Sequence, residues 1–273
     1  MAKTVRRRRP AAAPKPVEAA VEVHHKPKPV HGWREFLKEY GIIVLGVLTA
    51  LGAEQAVEGI HWASKVHEAE AAMDAELHED ALYAYYRLSL HGCALSRLVA
   101  VGAALAASRD HGAPVPLMPI YTWRLRPAQT DAWQAAQAVQ LVSHVPRDRL
   151  LAYSRTYFFA DDMARLQPQE RAAMDQINTL SINAGRLQPA ERDRLFVGLI
   201  AAHRLLTESD SAAARLIQEA EKVGVRLSPS DKAGQLAAAR GLYGDCVRQT
   251  SLDQLRRETA RPLGQGEAGG AGP

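Results

Sequence analysis

Residues 33–62 read WREFLKEYGIIVLGVLTALGAEQAVEGIHW, from Trp33 to Trp62, and they separate two chemically different parts of the chain. From Tyr40 to Ala53 there is no charge, and the run holds two Ile, two Val and three Leu. Such a run alone is short enough to be a buried core helix or a signal-peptide core. Its flanks point to a membrane. Trp33 and Trp62 bracket it as interfacial aromatics, with Tyr40 adding to the near belt, and Arg34 and Lys38 can reach one surface along their apolar stems. A helix from Tyr40 to Trp62 is roughly 34 Å long, enough for about 30 Å of hydrocarbon. The expectation is one transmembrane helix within 32–62.

The far half of the stretch resists insertion, because Glu54, Glu58 and His61 lie before Trp62. They fall at i, i+4 and i+7 and share one helix face, which Gly46 and Ala50 continue as a small-xxx-small pair. Two readings follow. Either copies of the helix associate and shield that face, giving a homo-oligomer through the anchor, or the helix leaves the bilayer at Glu54. A third reading treats Ala50 and Gly52 as part of a signal cleavage site and the rest as a secreted helical protein. The forty residues before the apolar run far exceed an ordinary leader's basic start.

Charge is distributed unevenly. Of 34 basic and 30 acidic residues, ten and four lie in 1–40, net +6, leaving 24 and 26, net −2. The basic balance therefore belongs to the N-terminal segment and says little about the main domain. Residues 1–31 are rich in Pro, Ala and Lys and predict a disordered cytoplasmic tail. Its run Arg6 to Arg9 reads as a topology determinant able to meet anionic lipid, with nucleic acid the weaker alternative. Lys26, Lys28, Arg34 and Lys38 precede the span and Lys65 alone closely follows, which places the N-terminus inside and the domain outside. Cys93 and Cys246 both follow the span, where a disulfide persists. They are either bonded to each other or two separate buried thiols.

Beyond Trp62 the composition is Ala-rich and poor in aromatics, which favours helix over sheet. Val66, Met73, Leu77, Ala84 and Leu88 form a broken heptad stripe with Glu70 and Asp80 or Ala81 at the missing positions, so the anchor helix should continue to His91-Gly92. Further helices are expected over 94–108, 131–142, from Pro189 to Gly224 along a stripe of Leu195, Leu199, Ala202, Leu206, Ala213, Leu216 and Ala220, and from Ser230 to about Glu258. Residues 109–128 are Pro-rich and read as a long ordered loop. Pro146, Pro168, Pro189 and Pro229 each precede an acid by two residues, a helix-start signature, and RLQPQER and RLQPAER suggest a duplicated hairpin. The expected organisation is all-α: tail 1–31, anchor 32–62, extracytoplasmic helical domain 63–258 and a disordered Gly-rich tail 259–273.

No catalytic, cofactor-binding or metal site is expected. P-loop, H-E-x-x-H, C-x-x-C and G-x-S-x-G motifs are absent, and GQGEAG at 264–269 lacks the strand and helix that phosphate binding requires. His67, Glu70, Asp74 and His78 read as a solvated charged face, since the outer pair are roughly 16 Å apart along the helix. Tyr153, Tyr157, Phe158 and Phe159 read as core aromatics rather than a pocket.

The stretch at 33–62, with LHGCALSRL around Cys93 and GDCVRQT around Cys246, resembles an uncharacterised family of proteobacterial single-pass proteins. The resemblance implies an inner-membrane location. It implies no activity, cofactor or catalytic residue. The competing function classes are a scaffolding or self-associating envelope protein, a periplasmic ligand-binding or sensory domain, and an enzyme with an unrecognised site.

Overall fold

A computed structural model describes residues 32–122 and 126–259. The expected tail at 1–31, with Arg6 to Arg9, and that at 259–273 apart from Thr259, which ends a helix, lie outside the described residues. The chain is all-α: α1 (Trp33–Ser89), α2 (His91–His111), α3 (Asp131–Ala138), α4 (Arg147–Asn178), α5 (Pro189–Val223), α6 (Pro229–Tyr243) and α7 (Leu252–Thr259), with 3-10 turns at Leu141–His144, Thr179–Ser181 and Gly244–Cys246.

The chain divides into two compact units, one ending at Val57 and the other starting at Glu58. In the first, α1 from Trp33 buries none of its side chains, and Val44 alone is half-buried. Ile42 is 72% exposed and Leu45 67%, and the rings of Phe36 and Tyr40 stack at 6.1 Å. By length and composition this is a helix able to cross a membrane.

In the second unit the stripe Val66, Met73, Leu77, Ala84 and Leu88 is buried, and Asp80 and Ala81 both enter the core at the gap in the repeat. α1 and α4 run parallel. Glu70 meets Arg149, Asp74 meets Tyr153, Glu76 meets Tyr157 and Tyr83 meets Gln167, in ascending order along both helices. The stripe from Leu195 to Ala220 is wholly buried. α5 returns from α4 and packs on it closely enough that a Cβ at Gly198 would lie 2.8 Å from the Gln176 Oε1. α5 ends at Gly224 with φ of 101°, the left-handed conformation that glycine adopts without strain. α6 begins with a capping box: the Ser228 Oγ accepts from the Asp231 N–H at 3.1 Å, and the Ser228 N–H donates to the Asp231 carboxylate at 2.9 Å.

The Pro-rich loop after α2 is pinned by backbone exchange between Val115 and Gly185, both at 2.8 Å. The Asn178 amide adds to this by exchanging two 3.0 Å hydrogen bonds with the Tyr121 backbone.

Four expectations need correction. Pro168 does not start a helix but lies inside α4. Its ring lacks the N–H that would donate to Ala164, yet packing of Leu166 and Ala173 on either side carries the helix through. RLQPQER and RLQPAER are therefore not copies of one hairpin, since the second opens α5. The C-terminal helix is not continuous to Glu258: Gly244, at φ 74°, breaks it, and α7 is a separate short segment. α3 stops at Ala138 rather than Val142, because Gln140 takes a left-handed turn at φ 57°.

Candidate functional site

The most unusual chemistry is a charged cluster with no exposed side chain. Arg87 stands in the last turn of α1, in YAYYRLSL, where apolar neighbours draw the whole turn into the core. Its Nη2 donates to Glu170 Oε1 at 3.0 Å and lies 2.9 Å from Oε2. Its Nε lies 2.7 Å from Asp210 Oδ1, and the other Asp210 oxygen is 2.6 Å from Nδ1 of His91. The four groups come from α1, α4, α5 and α2 in turn. All three charged side chains are fully buried, and His91 nearly so.

Two buried carboxylates thus face the Arg87 guanidinium, and the His91 ring meets one of them. Burial holds the Glu170 carboxyl above its ordinary pKa against the opposing pull of Arg87, and the nearby Asp210 adds to the rise. Burial works against the Arg87 charge, but Asp210 and Glu170 outweigh it and hold its pKa above the ordinary value. His203 on α5 is held below its ordinary value by burial and by His91. Gln167 closes the network, its amide donating to the Tyr83 hydroxyl at 2.9 Å and to the Arg126 carbonyl at 2.8 Å.

A second buried acid lies two turns earlier on α1. Asp80 accepts from the Gln129 N–H at 2.9 Å and pairs with the Arg126 guanidinium at 3.2 Å. Burial raises its pKa to about 7 in spite of Arg126 and the Gln129 N–H. Arg126 also lies over the Tyr83 ring and, with Glu79, Tyr86 and Gln235, lines a recess of about 300 Å³. A larger open groove of about 730 Å³ lies where α4 meets α5, lined by Gln176, Asn183, Glu191, Asp193, Arg194 and Val197. It mixes both charge signs and converges on no single group.

The solvated face expected at 67–78 is corrected in part. His67 is exposed, but Glu70 accepts from Arg149 at 2.7 Å and Asp74 from the Tyr153 hydroxyl at 2.6 Å. Both bind α4 to α1. Tyr153 and Tyr157 are core, whereas Phe158 lies open. No group of three or more His, Cys, Asp or Glu that could hold a metal occurs among the described residues. Trp33, Tyr40, Gly46, Ala50, Glu54, Glu58 and His61 are all exposed on α1, and a Cβ at Gly46 would meet nothing within 4 Å. Trp62 is half-buried, donates to Glu58 at 3.3 Å and stacks on His144. Cys93 and Cys246 are joined by a disulfide that holds the segment after α6 over the start of α2, where Arg248 N–H donates to the Ser89 carbonyl at 3.2 Å.

Sequence reading missed the Arg87, Glu170, Asp210 and His91 cluster. One signal was present: the α5 stripe steps from Leu206 to Ala213 with nothing apolar between at Ser209-Asp210, although that turn faces the core. No family model, curated protein or solved structure matches the chain.

Proposed function

We propose that this is a single-pass inner-membrane protein whose α1 serves both as anchor and as the spine of a periplasmic helical bundle. Its role in this reading is non-enzymatic: scaffolding or self-association in the bacterial envelope. The observation that carries it is the change of character along one unbroken helix. From Trp33 to Val57 the large apolar side chains face outward on every side, whereas from Met73 onward the same helix is packed in a core. Each such side chain left in water forgoes about 1.5–3 kcal/mol, so lipid or another copy must cover the first segment. The Cys93–Cys246 disulfide suits an oxidising compartment, and the basic residues before the apolar run suit a cytoplasmic N-terminus. The resemblance to proteobacterial single-pass proteins agrees with this location.

A membrane-impermeant maleimide applied to intact spheroplasts, with and without reductant, tests the topology. Labelling of Cys93 and Cys246 only after reduction is the expected result. Labelling only after lysis would put the domain in the cytoplasm and overturn the reading. Self-association is expected to run through Gly46 and Ala50. Replacing both with Ile should reduce chemical crosslinking in membranes, and unchanged crosslinking would remove that face from the proposal.

A sensory role is the second reading, favoured by the 730 Å³ groove between α4 and α5. It predicts a ligand that raises the unfolding temperature and loses this effect on Arg194→Ala. A broad screen without any shift would count against it.

A further inference from the structure

The anchor reading places Trp62 at the bilayer surface, and whatever is fixed to Trp62 lies there too. The structure fixes something specific. The ring of His144 stacks on the indole with centroids 3.8 Å apart and planes 8° from parallel. His144 ends the 3-10 turn Leu141–His144, which follows α3. The turn is shaped deliberately. Gln140 takes φ of 57°, the sole non-glycine in that region among the described residues, and its carbonyl accepts from the Ser143 N–H at 3.2 Å and hydroxyl at 2.7 Å. That conformation costs about 1 kcal/mol in a residue with a Cβ. Its effect is to send Leu141 into the core while Val139 stays 66% exposed. Ile60, two residues before Trp62, is 72% exposed. His61, whose ring lies edge-on to Trp62 at 5.9 Å, and Arg147, three residues after His144 in the chain, are exposed. Aromatic rings with polar tips, open aliphatic side chains and a cation are the mixture that headgroup boundaries accommodate.

We propose that the turn Val139–His144 is a second, peripheral contact with the lipid bilayer, held against it by the Trp62–His144 stack. This inference rests on α1 being the anchor. It gives the domain a lipid contact of its own at one defined edge. Lipid is the occupant because the turn is tied to the aromatic that ends the exposed apolar surface of α1. The occupant is the bilayer's headgroup boundary, with Val139 dipping toward the acyl chains.

The test uses the full chain in phosphatidylethanolamine–phosphatidylglycerol vesicles with its native cysteines oxidised. A single added cysteine carries an environment-sensitive nitrobenzoxadiazole dye, at Val139→Cys, at Ile60→Cys or at Ile182→Cys. Ile182 is 86% exposed and lies beyond the far end of α4, so it serves as the aqueous control. Dyes at 60 and 139 should shift to the blue and be quenched by lipids spin-labelled near the headgroup, while the dye at 182 shows neither. His144→Ala should abolish quenching at 139 and leave that at 60. Quenching at 60 without quenching at 139 would overturn this inference and leave the anchor intact. Absence of quenching at both would mean that α1 leaves the bilayer before Ile60, at Glu54, and would overturn this inference as well. A blue shift at 139 without lipid quenching would mean that protein covers the turn, which overturns it too. Quenching at all three positions would show adsorption of the whole domain and no special role for the turn.

Discussion

Asp80 shows how one side chain ties stability to pH. Its pKa stands near 7 in the folded protein against an ordinary 3.8, so the folded state binds the extra proton between those limits. Its contribution is fully present below about pH 4 and is lost as pH rises toward 7, by at most about 1.4 kcal/mol per pH unit. Asp80→Asn should flatten this slope in urea unfolding of the detergent-solubilised protein between pH 4 and 7. Parallel curves for the two proteins would remove Asp80 as the cause. Arg87 acts by charge of the other sign, its guanidinium paired with two buried carboxylates. Arg87→Met should cost about 3–5 kcal/mol in the same assay, since Glu170 and Asp210 would stay buried without it. Glu170→Gln should cost less, because the amide oxygen can still accept from Arg87 and one negative charge is gone. Equal losses would mean that the cluster acts by packing rather than by charge. None of this was visible by position alone, since a lone Arg in a tyrosine-rich stretch fits a surface helix equally well.

At the scale of elements, α4 carries an internal proline that local rules place at a helix start. Pro168 is exposed, and one backbone carbonyl, that of Ala164, loses its helical donor. Pro168→Ala should raise stability by about 1–3 kcal/mol, read as a higher thermal midpoint. A lower midpoint would show that the fixed φ of Pro168 helps to hold Glu170 against Arg87. The contrast with Pro189 is instructive. There the Gln188–Glu191 capping box and a preceding extended residue open a helix, whereas at 168 the flanking residues Leu166 and Ala173 are already committed to the core. Propensity and capping signals are local, and tertiary burial overrides them when both flanks share one apolar stripe.

For the molecule as a whole, the disulfide links residues 153 apart in sequence and ties the C-terminal segment to the α1–α2 junction. Cys93→Ser with Cys246→Ser should lower stability by about 4–5 kcal/mol in the chain-entropy account of so long a loop. Reductant should produce the same loss in the wild-type protein and none in the variant. A wild-type midpoint unmoved by full reduction would show that packing of Val247 and Leu255 holds the segment without the bond. By itself the sequence determined the all-α class, the buried stripes of α1 and α5, and the apolar character of residues 40–53. Each of these follows from periodicity or composition, which act over a few turns. Tertiary structure alone decided that α1 and α4 run parallel, that Pro168 is bridged, and that Arg87, His91, Glu170 and Asp210 meet. Those residues lie up to 123 positions apart. A buried charge is tolerable only where its partners converge, and no local pattern of residues records which distant helices will supply them.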